Sequence, residues 1–206
     1  MSRSPAKPEN TGNKAAYHHG DLRAHLIETV RQLVEEKGAD GFSISEAARR
    51  AGVSSAAPYK HFHDKNAIVR EVAIDGIRRL GHDMHTAAER APTQEFAKIN
   101  AIGQSYVDFA RAQPGVFRLM FGLTEGHTDH EEIRKAGEET YGVVIREVAA
   151  AMPPGSSEDD IRFRSYMLWT FVHGHSFLQI DGKVDKGAHG KSEADMLSEL
   201  SKRILG

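Results

Sequence analysis

The sequence predicts an all-α protein, and three of its features indicate this fold class. Apolar residues recur every three or four positions over most of the chain, as at Leu22, Leu26 and Val30, which is the spacing of one face of a helix. Glycine and proline interrupt this spacing at Pro114-Gly115 and at Pro153-Pro154-Gly155, as expected between helices. No segment has the two-residue alternation of a half-buried strand. We therefore expect helices joined by loops.

The chain begins with a segment for which no fixed structure is expected. Residues 1–17 are rich in Pro, Asn, Lys and Ser and poor in apolar side chains, which predicts a disordered arm. The pair His18-His19 then leads into a first helix, predicted from about Asp21 to Lys37, where Gly38 ends it. The apolar stripe of this helix would support the helices that follow: Leu22, Leu26, Val30, Leu33 and Val34.

The segment Ser43–Lys65 contains the most informative pattern. Ser43 and Glu46, three residues later, form a capping-box pattern, so a short helix should begin there. Gly52 can adopt a positive φ angle, which predicts a tight turn at the end of that helix.

A second short helix is predicted over about residues 54–61, with Ser54 as its cap. Pro58 lies near the start of this helix, where a missing N–H costs least. Two short helices joined by a glycine turn form a helix-turn-helix, which places its second helix in the major groove of DNA. The sequence therefore predicts a DNA-binding domain over residues 18–65, with 54–61 as its recognition helix.

The residues of this segment resemble the DNA-binding domain of the TetR (tetracycline-repressor) family. The resemblance rests on Ser43, Ala48, Ala51-Gly52-Val53-Ser54, Tyr59-Lys60-His61-Phe62 and Lys65. It implies that Ser43, Tyr59 and Lys65 contact phosphates and that His61 lies at the DNA backbone. It further implies that Phe62 packs inside the domain. The predicted DNA-binding residues are Ser43, Ser54, Ser55, Ala56, Tyr59, Lys60, His61 and Lys65.

The surface that this resemblance assigns to base reading is chemically sparse. Ser55 can donate or accept a hydrogen bond, Lys60 can reach guanine, and Ala56 offers only a methyl contact to thymine. We therefore expect phosphate contacts and DNA shape to supply much of the binding to a palindromic double-stranded operator.

Composition favours the same interpretation. The net charge of −2 is unevenly distributed, at +3 over residues 1–80 and −5 over residues 81–206, which favours an N-terminal nucleic-acid surface. Cysteine is absent, as is typical of a reducing compartment. No segment reaches the length of a transmembrane span, and the N-terminus lacks an apolar signal segment. We expect a cytoplasmic protein without a membrane partner.

A long helix is predicted to connect the DNA-binding domain to a second helical domain over residues 66–206. Asp64 would cap this helix, which runs from Lys65 to about Ala91. Because its start binds phosphate and its far end belongs to the second domain, we expect it to be the lever between DNA and ligand. Further helices are predicted over about Thr93–Ala112, Val116–Phe121, Asp129–Met152, Glu158–Ile180 and Ser192–Leu205, with a loop over Gly122–His130.

The segment Tyr166–Ile180 has apolar and aromatic residues on most faces of a helix, which indicates burial on more than one side. Contact with its own domain and with a second subunit explains this pattern. Leu197, Leu200 and Ile204 place an apolar face on the last helix. We therefore predict a homodimer with a four-helix interface, two helices from each protomer, around a two-fold axis.

Trp169 with His173-Gly174 resembles the WHG type of C-terminal domain found in one branch of the TetR family. The segments Tyr17–Arg23 and Tyr106–Phe121 resemble that branch too. Membership implies a pocket for an inducer and, by default, a repressor that its ligand releases from DNA. Aromatic and methionine side chains suit a largely apolar or aromatic effector. The predicted ligand-binding residues are Tyr106, Phe109, Phe117, Met120, Phe121, Met167, Trp169, Phe171 and His173.

The same residues disfavour two other functions and leave a third one open. An enzyme is not predicted, because the sequence has no phosphate-binding glycine loop, no nucleophile elbow and no HExxH motif. A helical interaction protein that no longer binds DNA is disfavoured by the intact Tyr59, Lys60 and Lys65. A zinc- or nickel-responsive regulator is the alternative that remains, because the chain has 12 histidines. Its candidate ligands are His82 and His85, His127, Asp129 and His130, and His173 and His175; neither a metal nor a cofactor is predicted.

Overall fold

The computed structural model describes residues 19–122, 131–184 and 190–206, and their regular structure is entirely helical. This confirms the all-α prediction. The predicted arm over residues 1–17 and most of the predicted loop Gly122–His130 lie outside the described residues. The described helices are α1 (His19–Lys37), α2 (Ile44–Arg50), a short 3-10 helix (Pro58–Lys60), α3 (Lys65–Arg90), α4 (Ala97–Ala112), α5 (Pro114–Gly122), α6 (Glu131–Ala151), α7 (Glu158–Ile180) and α8 (Glu193–Leu205).

Helix α1 forms the core of the N-terminal domain. Its predicted stripe is buried at Leu26, Val30, Leu33 and Val34, each 0% exposed. The turn after α2 has the predicted glycine geometry, because Gly52 has a φ of +71°. Ser43 caps α2 by accepting a hydrogen bond from the backbone N–H of Glu46 at 3.2 Å.

The second helix of the helix-turn-helix differs from the predicted span 54–61. Residues 54–57 form a turn and only Pro58–Lys60 are helical, in a 3-10 helix without a side-chain cap, so Ser54 does not have the predicted capping role. The cause is Pro58, which has no N–H to donate to the carbonyl of Ser54. That carbonyl instead accepts the N–H of Ala57 at 2.9 Å, which closes a tighter turn.

Helix α3 is the predicted long connection between the two halves of the chain. Asp64 caps it by accepting a hydrogen bond from the N–H of Ala67 at 2.8 Å. Its buried side continues from the N-terminal domain into the C-terminal helices through Ile68, Val72, Ile74, Ile77 and Leu80.

The C-terminal helices mostly follow the predicted boundaries. The main difference is at α4, which begins at Ala97 rather than near Thr93. Phe96 is in the left-handed region, with a φ of +57°, and this conformation cannot be part of a right-handed helix. Helix α7 has the predicted bounds, and α8 begins with a complete capping box between Ser192 and Asp195.

Helix α7 is apolar on both of its sides, as predicted. Leu168 and Val172 are buried against the domain, whereas Phe163 is 61% exposed and Leu178 is 47% exposed on the opposite side. Throughout the described residues, no helix has the length and apolar character needed to cross a lipid bilayer.

Candidate functional site

Most of the predicted DNA-binding residues lie at the surface of the helix-turn-helix. Tyr59 is 58% exposed, whereas Phe62 is 4% exposed inside the domain, so these two aromatic residues have the separate positions that the resemblance implied. His61 and Lys65 are half-buried. The exposed members of the set are Ser43, Ser54, Ser55, Ala56, Tyr59 and Lys60.

Lys65 is held at the start of α3 by the loop between α1 and α2. Its Nζ atom donates a hydrogen bond to the carbonyl of Asp40 at 3.3 Å and lies 4.5 Å from the centre of the Phe42 ring. A lysine that is positioned in this way loses less conformational entropy when it binds a phosphate than a freely rotating one does. The arrangement thus favours an anion contact at this point.

His61 is only partly accessible at this surface. Its Nε2 atom is buried, and no residue in the described parts of the chain gives it a hydrogen bond. The ring therefore points at least partly into the domain, and its contact with DNA stays a prediction.

Two ion pairs fasten α2 to α1. Glu46 pairs with Lys37 at 2.5 Å, and Glu36 pairs with Arg50 at 2.5 Å. Hydrogen bonds from these cations lower the pKa of both carboxyl groups. Glu46 uses its carboxylate in this pair, so the reciprocal half of the predicted capping box at Ser43 is replaced by a contact between helices.

The C-terminal domain contains a cavity of about 260 Å³ between α3, α4, α5, α6 and α7. Among the residues that the structure describes, no charged side chain lines it. The lining residues are Ile77, Leu80, Met84, Tyr106, Met120, Phe121, Gly137, Thr140, Tyr141, Val144, Tyr166 and Trp169. Such a surface suits an apolar or aromatic molecule with few polar groups.

The structure brings four of the predicted ligand-binding residues to this cavity: Tyr106, Met120, Phe121 and Trp169. Phe117 and His173 lie behind its wall. The Phe117 ring is 5.5 Å from that of Tyr106, and the His173 ring is 5.2 Å from that of Trp169.

Three predicted ligand-binding residues lie away from the cavity. Phe109 is buried beside Arg79, whose guanidinium carbon is 5.6 Å from the Phe109 ring centre. Met167 is exposed, and Phe171 stacks on His175. Positions 167 and 171 are four residues apart, so they share one side of α7, and that side does not contain Trp169.

Tyr106 and His173 form the polar contact next to the cavity. The Tyr106 hydroxyl and His173 Nδ1 are 2.8 Å apart. Burial raises the pKa of the Tyr106 phenol and lowers the pKa of the His173 imidazole. Both effects favour the neutral forms, so the contact adds no charge to the apolar cavity.

Helices α3 and α6 supply most of the lining residues that were not predicted from the sequence, and α7 adds Tyr166. On α6 these are Gly137, Thr140, Tyr141 and Val144. Their spacing of three, one and three residues is that of one helix face, so periodicity contained the signal. It does not separate a cavity wall from an ordinary packed face.

The candidate ligands of the metal-responsive alternative do not converge in the parts of the chain that the structure describes, where no group of three or more potential ligands occurs. His82 and His85 are exposed on α3. His175 Nε2 is 3.0 Å from Glu193. The set His127, Asp129 and His130 lies outside the described residues.

Comparison with known proteins identifies both halves of the chain. Residues 26–72 match a family model described as "Bacterial regulatory proteins, tetR family", and residues 99–200 match one described as "Tetracyclin repressor-like, C-terminal domain". A solved structure of a protein of unknown function from Rhodococcus sp. RHA1 is 31% identical, with 91% of this chain and 95% of that chain covered and a TM-score of 0.76.

Curated relatives match over a shorter part. The nucleoid occlusion factor SlmA of Haemophilus influenzae is 33% identical over 97 residues, which are 47% of this chain and 44% of SlmA. The HTH-type transcriptional regulator BetI of Brucella canis is 28% identical over 91 residues, which are 43% of this chain and 46% of BetI. The match thus spans less than half the length of these curated relatives.

Proposed function

We propose that this chain, which belongs to the TetR family of DNA-binding transcriptional regulators, is a homodimeric repressor. In this proposal, a small, largely apolar effector releases the repressor from its operator. The observation that carries this proposal is the uncharged cavity beside α3. The same helix begins at Lys65, on the surface predicted to bind DNA, and supplies Ile77, Leu80 and Met84 to the cavity wall.

The chemistry of the cavity supports an effector without a formal charge. Burying an ion is costly unless an opposite charge or hydrogen bonds compensate for its lost hydration. None of the lining residues in the described parts of the chain is charged. The volume of about 260 Å³ is slightly below the usual range for drug-sized ligands, which favours a small molecule. Trp169, Tyr141 and Tyr166 offer ring contacts to an aromatic one.

The exposed side of α7 supports the homodimer. Phe163, Tyr166, Met167 and Leu178 are all more than a third exposed along one helix. Large apolar side chains exposed along one side of a helix are typical of an interface. The paired helix-turn-helix units of such a dimer need half-sites about 34–36 Å apart or at a multiple of that distance.

The metal-responsive alternative lacks a supporting observation in the described residues, where no group of three potential ligands occurs. The geometry of the cavity therefore supports regulation by a small-molecule effector.

DNA binding tests the first part of the proposal. The purified protein should bind its own upstream region more tightly than an unrelated duplex, over a series of salt concentrations. Lys65→Ala and Tyr59→Phe should weaken this binding. Equal affinity for both duplexes, unaffected by these substitutions, would contradict the proposal.

Effector binding can be measured by the fluorescence of Trp169, because it is the only tryptophan of the chain and lines the cavity. Small neutral aromatic molecules that change this fluorescence saturably should also release the DNA. Gly137→Phe is the specific control, because it places a ring in the open space of the cavity and should abolish both effects.

A further inference from the structure

The amino end of α5 is fastened to α1 by one side chain. Glu35 on α1 accepts a hydrogen bond from the backbone N–H of Gly115 at 2.8 Å and another from that of Val116 at 2.8 Å, one on each carboxylate oxygen. The first turn of a helix leaves these N–H groups without partners inside the helix, and a carboxylate is also favoured there by the helix dipole. Glu35 thus joins the DNA-binding domain directly to a helix of the effector domain.

Close packing on both sides of α5 leaves it little room to move alone. A Cβ atom added at Gly115 would lie 2.6 Å from the carbonyl oxygen of Val34. A Cβ atom added at Gly76 on α3 would lie 2.7 Å from Val116 Cγ1 and 2.9 Å from Met120 Sδ. Because packed interiors transmit displacements rather than absorb them, a shift of α5 must also displace α1 or α3.

Gln113, just before α5, provides a second connection. Its side-chain oxygen accepts hydrogen bonds from Arg79 on α3 at 2.7 Å and from Arg31 on α1 at 3.4 Å. The turn between α4 and α5 therefore contacts both helices that position the helix-turn-helix.

The other end of α5 forms part of the cavity wall through Met120 and Phe121. At a rise of about 1.5 Å per residue, Met120 is only about 8 Å along the helix from Gly115. One short helix thus has the cavity at its carboxyl end and Glu35 at its amino end.

We propose that α5 transmits the occupancy of the cavity to the DNA-binding domain and that Glu35 is the positioning residue for this transmission. This inference rests on the proposed function and adds to it a route besides the long helix α3. A molecule in the cavity displaces Met120 and Phe121, α5 moves as a unit, and Glu35 carries the displacement to α1. Helix α1 packs against α2 and is joined to it by two ion pairs, so this displacement reorients the helix-turn-helix.

The test uses Gly137→Phe as a permanent occupant of the cavity, which removes the need for an identified effector. Affinity for a duplex from the upstream region is measured for the wild type, Gly137→Phe, Glu35→Gln and the double variant. Glutamine keeps the length of the side chain but has a single acceptor oxygen. We expect Gly137→Phe to weaken DNA binding about tenfold in the wild type and less than twofold with Glu35→Gln, since coupling between sites is typically 5- to 150-fold.

Glu89→Gln is the control for loss of a carboxylate, because Glu89 is exposed near the carboxyl end of α3 and pairs with His85 on the same helix. It should leave the tenfold effect intact. Gly142→Phe controls for a bulky residue on α6, since Gly142 does not line the cavity. Gly115→Ala, which forces α5 away from α1, should reproduce the loss of coupling without a change of charge.

Hydrogen exchange of the full-length dimer provides a readout that does not depend on DNA. Gly137→Phe should speed exchange at the carboxyl end of α1 when Glu35 is present and not with Glu35→Gln. An equal effect of Gly137→Phe in both backgrounds, or no effect in the wild type, would overturn this proposal. Failure of the proposed function would be distinguishable from failure of this inference, because the wild type would then show no sequence-dependent DNA binding at all.

Discussion

Replacing Phe117 by alanine should destabilise the protein more than the same replacement of Phe121 at the edge of the cavity. Phe117 is 0% exposed on α5. Its ring lies 5.5 Å from Tyr106, 5.0 Å from Phe121 and 5.4 Å from Phe177. Deleting a fully buried phenylalanine typically costs about 3–5 kcal/mol, from lost burial and from the void left behind.

Phe121→Ala is the matched comparison, since Phe121 lies on the same helix but is 39% exposed at the edge of an existing cavity. Its removal enlarges an open space instead of creating a new one, so we expect a loss of about 1–2 kcal/mol. For a chain of this size, 1 kcal/mol shifts Tm by about 2–4 °C. The Phe117 variant should therefore melt roughly 10 °C below the wild type and the Phe121 variant only a few degrees below it.

The assay is thermal unfolding followed by circular dichroism, with urea unfolding as a second measure. All variants must be compared at one protein concentration, because the stability of the proposed dimer would depend on it. If the two substitutions lower Tm equally, Phe117 is not the packed centre of this aromatic cluster, and the separation of core from cavity wall is wrong.

Three further predictions concern titration, capping and DNA. Burial lowers the pKa of His173, so the unfolded state binds a proton more readily than the folded state does. The free energy of unfolding should therefore fall as the pH falls below about 6.5 towards the folded-state pKa. Urea unfolding of His173→Phe should show a smaller decline over the same pH range. Asp64→Ala removes the cap of α3 and should cost about 0.5–2 kcal/mol in urea unfolding, whereas Asp64→Ser should restore most of it. Lys65→Ala should reduce the slope of log affinity against log salt by about one, while Lys98→Ala on α4 should leave that slope unchanged.

The sequence by itself determined most of the helices and their ends. Gly52, Asp64 and the pair Ser192 and Asp195 act through backbone geometry or hydrogen bonds that close within three residues, so their neighbours in sequence are sufficient to specify them. At Pro58 the prediction from the local sequence was wrong, because the missing N–H converts the predicted helix into a turn followed by a 3-10 helix.

The exposure of most candidate DNA-binding residues was also predictable, because they lie within about twenty positions of each other and their pattern resembles a known domain. Tyr59 is exposed and Phe62 is buried as that resemblance implied. That the exposed residues of this set contact DNA stays a prediction.

Only the tertiary structure decided where the cavity lies and what joins it to the DNA-binding domain. Its wall combines side chains from five helices, and periodicity alone does not tell Tyr106, which lines it, from Phe109, which is buried beside Arg79. Glu35 has the pattern of an ordinary solvated residue in the sequence, yet it holds two N–H groups some 80 positions away. The physical reason is that local hydrogen bonds specify helices, whereas the rotation and crossing of packed helices determine which of their side chains meet.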